Sequence, residues 1–244
     1  MNLRFAAALT GSFAALALLV LGGTYVAARR VPRFYQQALQ AAPEIRERQS
    51  DELLENAAAL ASCVRKEGSW RALFTADQIN GWLAVDVAKN FPELFPQGVA
   101  DPRVAIGPDR IAIACRYLDG PVETVLSLEG EAYVQEPNVL SIRILRARAG
   151  SLPAPLGGLL KGISNAADKA GMQLHWLQAE GDPVAVIRLQ PPRDERNQLR
   201  QIETIELRDG EIYLAGRTTS ASNPSSHEAS APLAASPDAQ SKKR

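Results

Sequence analysis

VADPRVAIGPDRIAIACRYLDGPVETVLSLEGEAYVQEPNVLSIRILRARAG, residues Val99 to Gly150, alternates at a period of two over most of its length. Val104 and Ile106 lead into Gly107-Pro108-Asp109. Ile111, Ile113, Cys115 and Tyr117 alternate next, and Leu118-Asp119-Gly120-Pro121 turns the chain again. Val122 to Gln135 reads as a strand with a break at Gly130. Glu136-Pro137-Asn138 is a third turn, and Val139 to Ala149 a fourth strand. Successive strand side chains point to opposite faces, so this spacing with short turns predicts four strands in an antiparallel meander. On the last strand Ile142 and Ile144 point one way and Arg143 and Leu145 the other, which leaves one face wetter but still partly apolar.

Downstream, Gly150-Ser151-Leu152-Pro153-Ala154-Pro155 stops the meander, because proline cannot donate to a ladder. Leu156 to Ala170 reads as a helix ended by Gly171. Gly157, Gly158 and Gly162 lower its propensity; they either bring it close to a sheet or leave room for something else. Met172–Gln178, Val184–Leu189, Gln201–Leu207 and Glu211–Ala215 read as further strands, the last two joined at Asp209-Gly210. From Thr219 to Arg244, 16 of 26 residues are Ser, Ala or Pro. Such a segment buries too little surface to offset its ordering entropy, and a disordered tail is expected.

Upstream, Thr75-Ala76-Asp77-Gln78 is a capping box opening a helix whose apolar face is Ile79, Trp82, Leu83 and Val87. Before it, Leu53, Ala57, Leu60 and Val64 recur at helical spacing from Glu44 to Lys66, with Pro43 at the start and Gly68 at the end. This helix is either a stalk or packed on the globular part. Residues 5–28, FAAALTGSFAALALLVLGGTYVAA, are 24 residues without a charge. At ~1.5 Å per residue they reach ~36 Å, enough to cross a ~30 Å hydrocarbon core. Val26-Ala27-Ala28 offers a signal-peptidase site, but the run exceeds the ~7–15 residues of a signal h-region, so an anchor is the expected reading. Arg29, Arg30 and Arg33 outnumber Arg4 and the amino group, which leans toward a cytoplasmic body. The four-residue N-terminal tail instead resembles a signal anchor with an exported body, and we adopt that reading: single-pass, with the globular domain extracytoplasmic.

The expected class is therefore α+β, with an N-terminal transmembrane helix, a helical stalk, an antiparallel curved sheet packed with helices, and a disordered C-terminal tail. The parts are a signal anchor over 1–30, the stalk over 31–68, the globular domain over 69–218 and the tail over 219–244.

The 244 residues carry 27 Lys+Arg and 27 Asp+Glu, so no cationic surface drives nucleic-acid binding. Two Cys and two His are too few for a zinc ribbon or a disulfide scaffold. No nucleophile elbow, phosphate loop, dinucleotide fingerprint or zincin motif is present. No catalytic residue, metal or cofactor is expected. His175 reads as a solvent-facing strand residue. Cys63 and Cys115 either form a helix-to-sheet disulfide in an exported domain or are two buried free thiols.

The order of parts, with FTADQINGWL (Phe74–Leu83) ahead of the meander and ARAGSLPAPLGGLL (Ala147–Leu160) after it, resembles the YpmS-like group of anchored extracytoplasmic proteins. More loosely, it looks like bacterial relatives of tubular lipid-binding domains. The resemblance spans about Leu73 to Leu189 and implies a lipid-facing binding domain rather than an enzyme, with the bilayer and a lipid or acyl ligand as partners. The Gly-rich helix, the flank charge and the long tail depart from it. An apolar groove beside the Gly-rich helix is expected, with Leu152, Leu156, Leu159, Leu160 and Ile163 as candidate lining residues; the same residues could simply fill the core. The other reading is a structural or assembly protein of the cell envelope that binds a partner chain.

Overall fold

The computed structural model describes residues 19–91, 95–119, 123–189 and 198–220. Helix α1 (19–28) leads into α2 (Arg33–Leu39) and α3 (Pro43–Val64), then strand β1 (Gly68–Thr75). Helix α4 (Ala76–Trp82) follows, running through a π-helical turn at Leu83–Val87 into the short α5 (Ala88–Asn90). The meander is β2 (Val99–Ile106), β3 (Ile111–Tyr117), β4 (Thr124–Glu136) and β5 (Val139–Ala149). A two-residue β6 (Leu152–Pro153) precedes helix α6 (Leu156–Lys169), and the chain then forms β7 (Gln173–Ala179), β8 (Asp182–Arg188), β9 (Gln198–Arg208) and β10 (Glu211–Ser220).

The α+β class and the large antiparallel sheet packed with helices are as expected. The sheet runs β2-β3-β4-β5-β8-β7, with β6 paired to the end of β5. The break at Gly130 is a register shift: Glu129 faces Arg146 and Gly130 faces Ile144, leaving Leu145 as the extra residue. The period-two pattern did not reveal β1. It pairs with β10, and β10 with β9, in a separate three-stranded sheet. β10 runs to Ser220, so Thr219 and Ser220 belong to the fold and not to the tail; the tail from residue 221 lies outside the described residues.

The capping box forms as read. Thr75 Oγ1 accepts from the Gln78 N–H at 3.1 Å, and Gln78 Oε1 accepts from the Thr75 N–H at 3.2 Å. The same helix holds a clamp that periodicity did not reveal. Asn80 Nδ2 donates to the Val104 carbonyl at 2.9 Å and its Oδ1 accepts from the Val104 N–H at 2.7 Å, so one amide pairs with the outer edge of β2 as a neighbouring strand would. Gly81 is required beside it. A Cβ there would lie 2.7 Å from the Arg46 carbonyl oxygen and 2.8 Å from the Ser50 nitrogen, so α3 crosses α4 directly against backbone.

Residues 31–68 are therefore not a free stalk. Tyr35 of α2 is buried with Ala114 and Val125, and Val31, Phe34 and Leu39 pack around them. Ser50 of α3 is buried and donates to Asp86 of the π-helical turn. The end of α1 is also built in. Ser151 donates to the Ala27 carbonyl through its N–H at 2.9 Å and its hydroxyl at 3.1 Å, and Thr124 Oγ1 donates to the Ala28 carbonyl at 2.5 Å. These bonds satisfy carbonyls that a helix end leaves open. Among the described residues no helix is long and apolar enough to cross a membrane. Residues 5–18 of the expected anchor lie outside the described residues.

Candidate functional site

Helix α3 behaves differently in its two halves. Near Ser50 it is pressed onto α4. At its other end a second pin holds it, where Thr218 Oγ1 of β10 donates to the Val64 carbonyl at 2.8 Å. Between the pins the stripe Ala57, Leu60, Ala61 and Val64 faces the three-stranded sheet, yet Ala57 and Ala61 are exposed. Two methyl side chains do not reach across to the strands.

The gap is a cleft of about 470 Å³, within the ~300–1,000 Å³ typical of small-molecule sites. Its helix wall is Ala57, Leu60, Ala61, Val64 and Arg65; its sheet wall is Trp70, Arg200, Gln201, Ile202 and Leu214, and Asn138 and Leu189 close one end. Exposed lining surface is predominantly apolar, and no Asp or Glu is among these residues. Two further clefts of about 260 and 190 Å³ are smaller and partly polar.

Two local devices shape the walls. Trp70 lies on β1 opposite Gly216 of β10. A Cβ at Gly216 would overlap the Trp70 ring and the Gln201 carbonyl, so glycine is what lets the indole lie flat across the sheet. The Trp70 indole N–H is sealed from solvent and meets no acceptor among the described residues. Asn138, at the β4–β5 turn with φ +65°, joins the sheets. Its Nδ2 donates to the Arg200 carbonyl at 2.8 Å, its Oδ1 accepts from the Ile202 N–H at 2.8 Å, and its carbonyl accepts from the Leu189 N–H at 2.8 Å. Asparagine tolerates this left-handed backbone better than most residues.

The cleft sits far from the α1 junction. The junction is at Gly150–Ser151, just past the end of β5, whereas Asn138 immediately precedes its start. The 11-residue strand between them spans ~33 Å at ~3.3 Å per residue.

The anticipated groove residues lie elsewhere. Leu152 is on β6, and Leu156, Leu159, Leu160 and Ile163 are on α6; all five are half-buried and none lines the cleft. Helix α6 is tied to β7 by a 2.8 Å hydrogen bond from Trp176 Nε1 to Ser164 Oγ, and its Ala167 is buried. Around Gly157, Gly158 and Gly162 there is open space, so these glycines do not serve a close approach to the sheet. His175 is exposed on β7, as read. The disulfide does not form. Cys63 is exposed on the last turn of α3 and Cys115 lies within β3, and both are free; exposure of Cys63 also corrects the reading of two buried thiols. Burial pushes the Cys115 thiol up to about 11.

A polar cluster ties α2 to the sheet. Tyr35 Oη donates to the Asp101 carbonyl at 2.8 Å, and burial, reinforced by Asp101, pushes its pKa up to about 12. Arg116 pairs with the Asp101 carboxylate. Arg103, 2% exposed, donates to the Pro102 carbonyl at 2.7 Å, and burial lowers its pKa. Among the described residues no three His, Cys, Asp or Glu side chains gather where they could hold a metal ion. Comparison with family models, curated proteins and solved structures finds no match for this chain.

Proposed function

We propose that this chain is a membrane-anchored binding module that holds an apolar ligand, a single acyl chain, in the cleft between α3 and the three-stranded sheet. One observation carries the reading: a 470 Å³ largely apolar cleft lies along α3 between two pins, at Ser50 and at Val64, and is not closed by side chains. An open apolar cleft of that size leaves its walls in contact with water, and a chain of methylenes is a ligand that would cover them. The anchor is the uncharged run of residues 5–28. Its described part, 19–28, is helical with Leu19, Val20, Leu21, Tyr25 and Val26 exposed, and Arg29 lies over the Tyr25 ring as it would at an interface. The extracytoplasmic orientation and the resemblance to the YpmS-like group agree with a lipid-facing role. Binding, not catalysis, is the activity.

The test fills the space. In Ala57→Leu/Ala61→Leu the added methylenes occupy the cleft without changing charge. The full chain in nanodiscs is exposed to a photoactivatable palmitate, and labelled peptides are mapped by mass spectrometry. Wild type is expected to label on 57–65 and 200–214, and the filled variant to lose that label while gaining thermal stability. Labelling of α6 instead of the cleft would refute the site.

The alternative, an envelope assembly protein, is favoured by the outer edge of β7. Gln173–Ala179 carries no formal charge and leaves Leu177 59% exposed, an edge suited to strand addition. In-membrane crosslinking from Leu177→Cys to a defined protein neighbour would support it.

A further inference from the structure

We propose that the end of the large sheet where α1 joins it is a bilayer-contact surface, with Leu118 and Phe91 seated at the depth of the lipid headgroups; this rests on the anchor reading above. Every residue from 19 to 26 is exposed, so α1 projects from the body instead of lying along it. The next two residues, Ala27 and Ala28, are already held through their carbonyls by Ser151 and Thr124. At ~1.5 Å per residue Ala28 lies only ~3 Å beyond Val26, so no linker separates helix from body. Ala28 also ends the uncharged run, which sets it at the edge of the hydrocarbon. Headgroups add ~5–7 Å beyond that edge, and side chains at this end of the sheet meet them.

Two large apolar side chains arrive there. Thr124, which holds Ala28, is the strand partner of Tyr117. Leu118 comes next, and its N–H donates to the Gly98 carbonyl at 2.8 Å. Strand partners lie ~5 Å apart and successive Cα atoms ~3.8 Å, so Leu118 sits within about 10 Å of Thr124, and it is 48% exposed. Phe91 comes from the other side of β2. The Ala76 N–H donates to the Gly210 carbonyl, the Gly210 N–H donates to the Ile106 carbonyl, and Asn80 pairs with Val104. The helical run from α4 to α5 therefore travels back along β2 toward Val99. The helix from Asn80 to Phe91 and the strand from Val104 to Val99 both span ~16 Å. Phe91, 55% exposed, is thus level with Val99, itself the partner of Tyr117. Lipid would remove both side chains from water. Charges at this end are mixed, with Arg29, Arg30 and Lys89 against Asp119 and Glu123, so the contact depends on the apolar side chains and holds in zwitterionic lipid.

The experiment uses the full chain in phosphatidylcholine nanodiscs, with Cys63→Ala so that no other exposed thiol remains. A fluorescent maleimide is attached in turn at Leu21→Cys, Phe91→Cys, Leu118→Cys and Leu199→Cys. Leu199 is the matched control: it is 47% exposed, but it neighbours Arg200, whose carbonyl Asn138 holds at the opposite end of β5. Three quenchers are compared, a nitroxide on the lipid chain near the headgroup, a nitroxide near the chain end, and iodide in the water. The Leu21→Cys label is expected to lose fluorescence to the deep nitroxide, the Phe91→Cys and Leu118→Cys labels to the shallow one, and the Leu199→Cys label to iodide alone. With Leu21→Cys quenched from lipid, quenching of Phe91→Cys and Leu118→Cys by iodide alone would overturn the proposal and leave the anchor standing. Shielding of those two labels from lipid and iodide alike would overturn it in favour of a protein on this surface. Quenching of Leu199→Cys from lipid would overturn the orientation. Quenching of Leu21→Cys by iodide and not by lipid would overturn the anchor reading itself.

Discussion

Gly150→Ala tests whether α1 and the globular part are one body. Gly150 has φ +62°, and an added Cβ would lie 2.6 Å from the Ala28 carbonyl carbon and closer still to both the Ala27 and Ala28 oxygens. The side chain fits only if α1 withdraws. Withdrawal breaks three hydrogen bonds, from the Ser151 N–H, the Ser151 hydroxyl and Thr124 Oγ1, each contributing ~0.5–1.5 kcal/mol. Gly171→Ala is the matched control. Its φ is +68° and nothing lies within 4 Å of its added Cβ, so it carries only the left-handed penalty of ~1–2 kcal/mol. Gly150→Ala is expected to cost that penalty plus about 2–4 kcal/mol for the junction. Denaturant unfolding of the full chain gives both costs, and hydrogen exchange reads the junction itself through the Ser151 amide. Equal costs for the two substitutions, with Ser151 equally protected in both, would show that the junction does not hold.

Asn80→Ala leaves both Val104 backbone groups unpaired in a buried setting and should lower stability by ~2–4 kcal/mol, read from denaturant midpoints. A loss within error of a surface alanine substitution would count against the clamp. Thr75→Ala removes one half of the capping box and should cost about 1 kcal/mol in the same assay. Alkaline pH should destabilise the fold. Unfolded Cys and Tyr ionise near ~8.5 and ~10, but burial holds the native Cys115 proton to about 11 and the Tyr35 proton to about 12. The native state thus binds more protons, and stability falls as pH rises. The Cys115 share is fully present below ~8.5, is lost by about 11, and is on the order of 3 kcal/mol. Cys115→Ala should remove the early part of the decline and keep the Tyr35 part, checked by unfolding at stepped pH. At neutral pH a maleimide should modify Cys63 rapidly and Cys115 only on unfolding; equal rates would contradict the assigned burial.

Much of the architecture is written locally. The meander, the Gly130 break, the capping box, the Asp209-Gly210 hairpin and the helix from Leu156 follow from period, turn chemistry and caps, which act between neighbours in the chain. β1 was missed because Gly68–Thr75 presents neither clean alternation nor a turn to an adjacent strand; its partner is β10, far along the chain. The site was half legible. Ala57, Leu60 and Val64 stood out as a helical stripe, but a stripe says that a face is apolar, not how far away the opposing wall lies. The glycines of α6 signal either a close approach or open space, and the fold decides for open space.

The order of nearest-neighbour elements, and the chemistry of the face α3 presents, reside in the residues themselves, since those depend on backbone preference and on which side chains avoid water. Separation between α3 and its sheet is set elsewhere. It comes from Thr218 meeting the Val64 carbonyl, from Asn138 joining two sheets, and from Trp70 lying over Gly216. Each of these joins residues more than 60 positions apart, and only a folded chain makes such distances short.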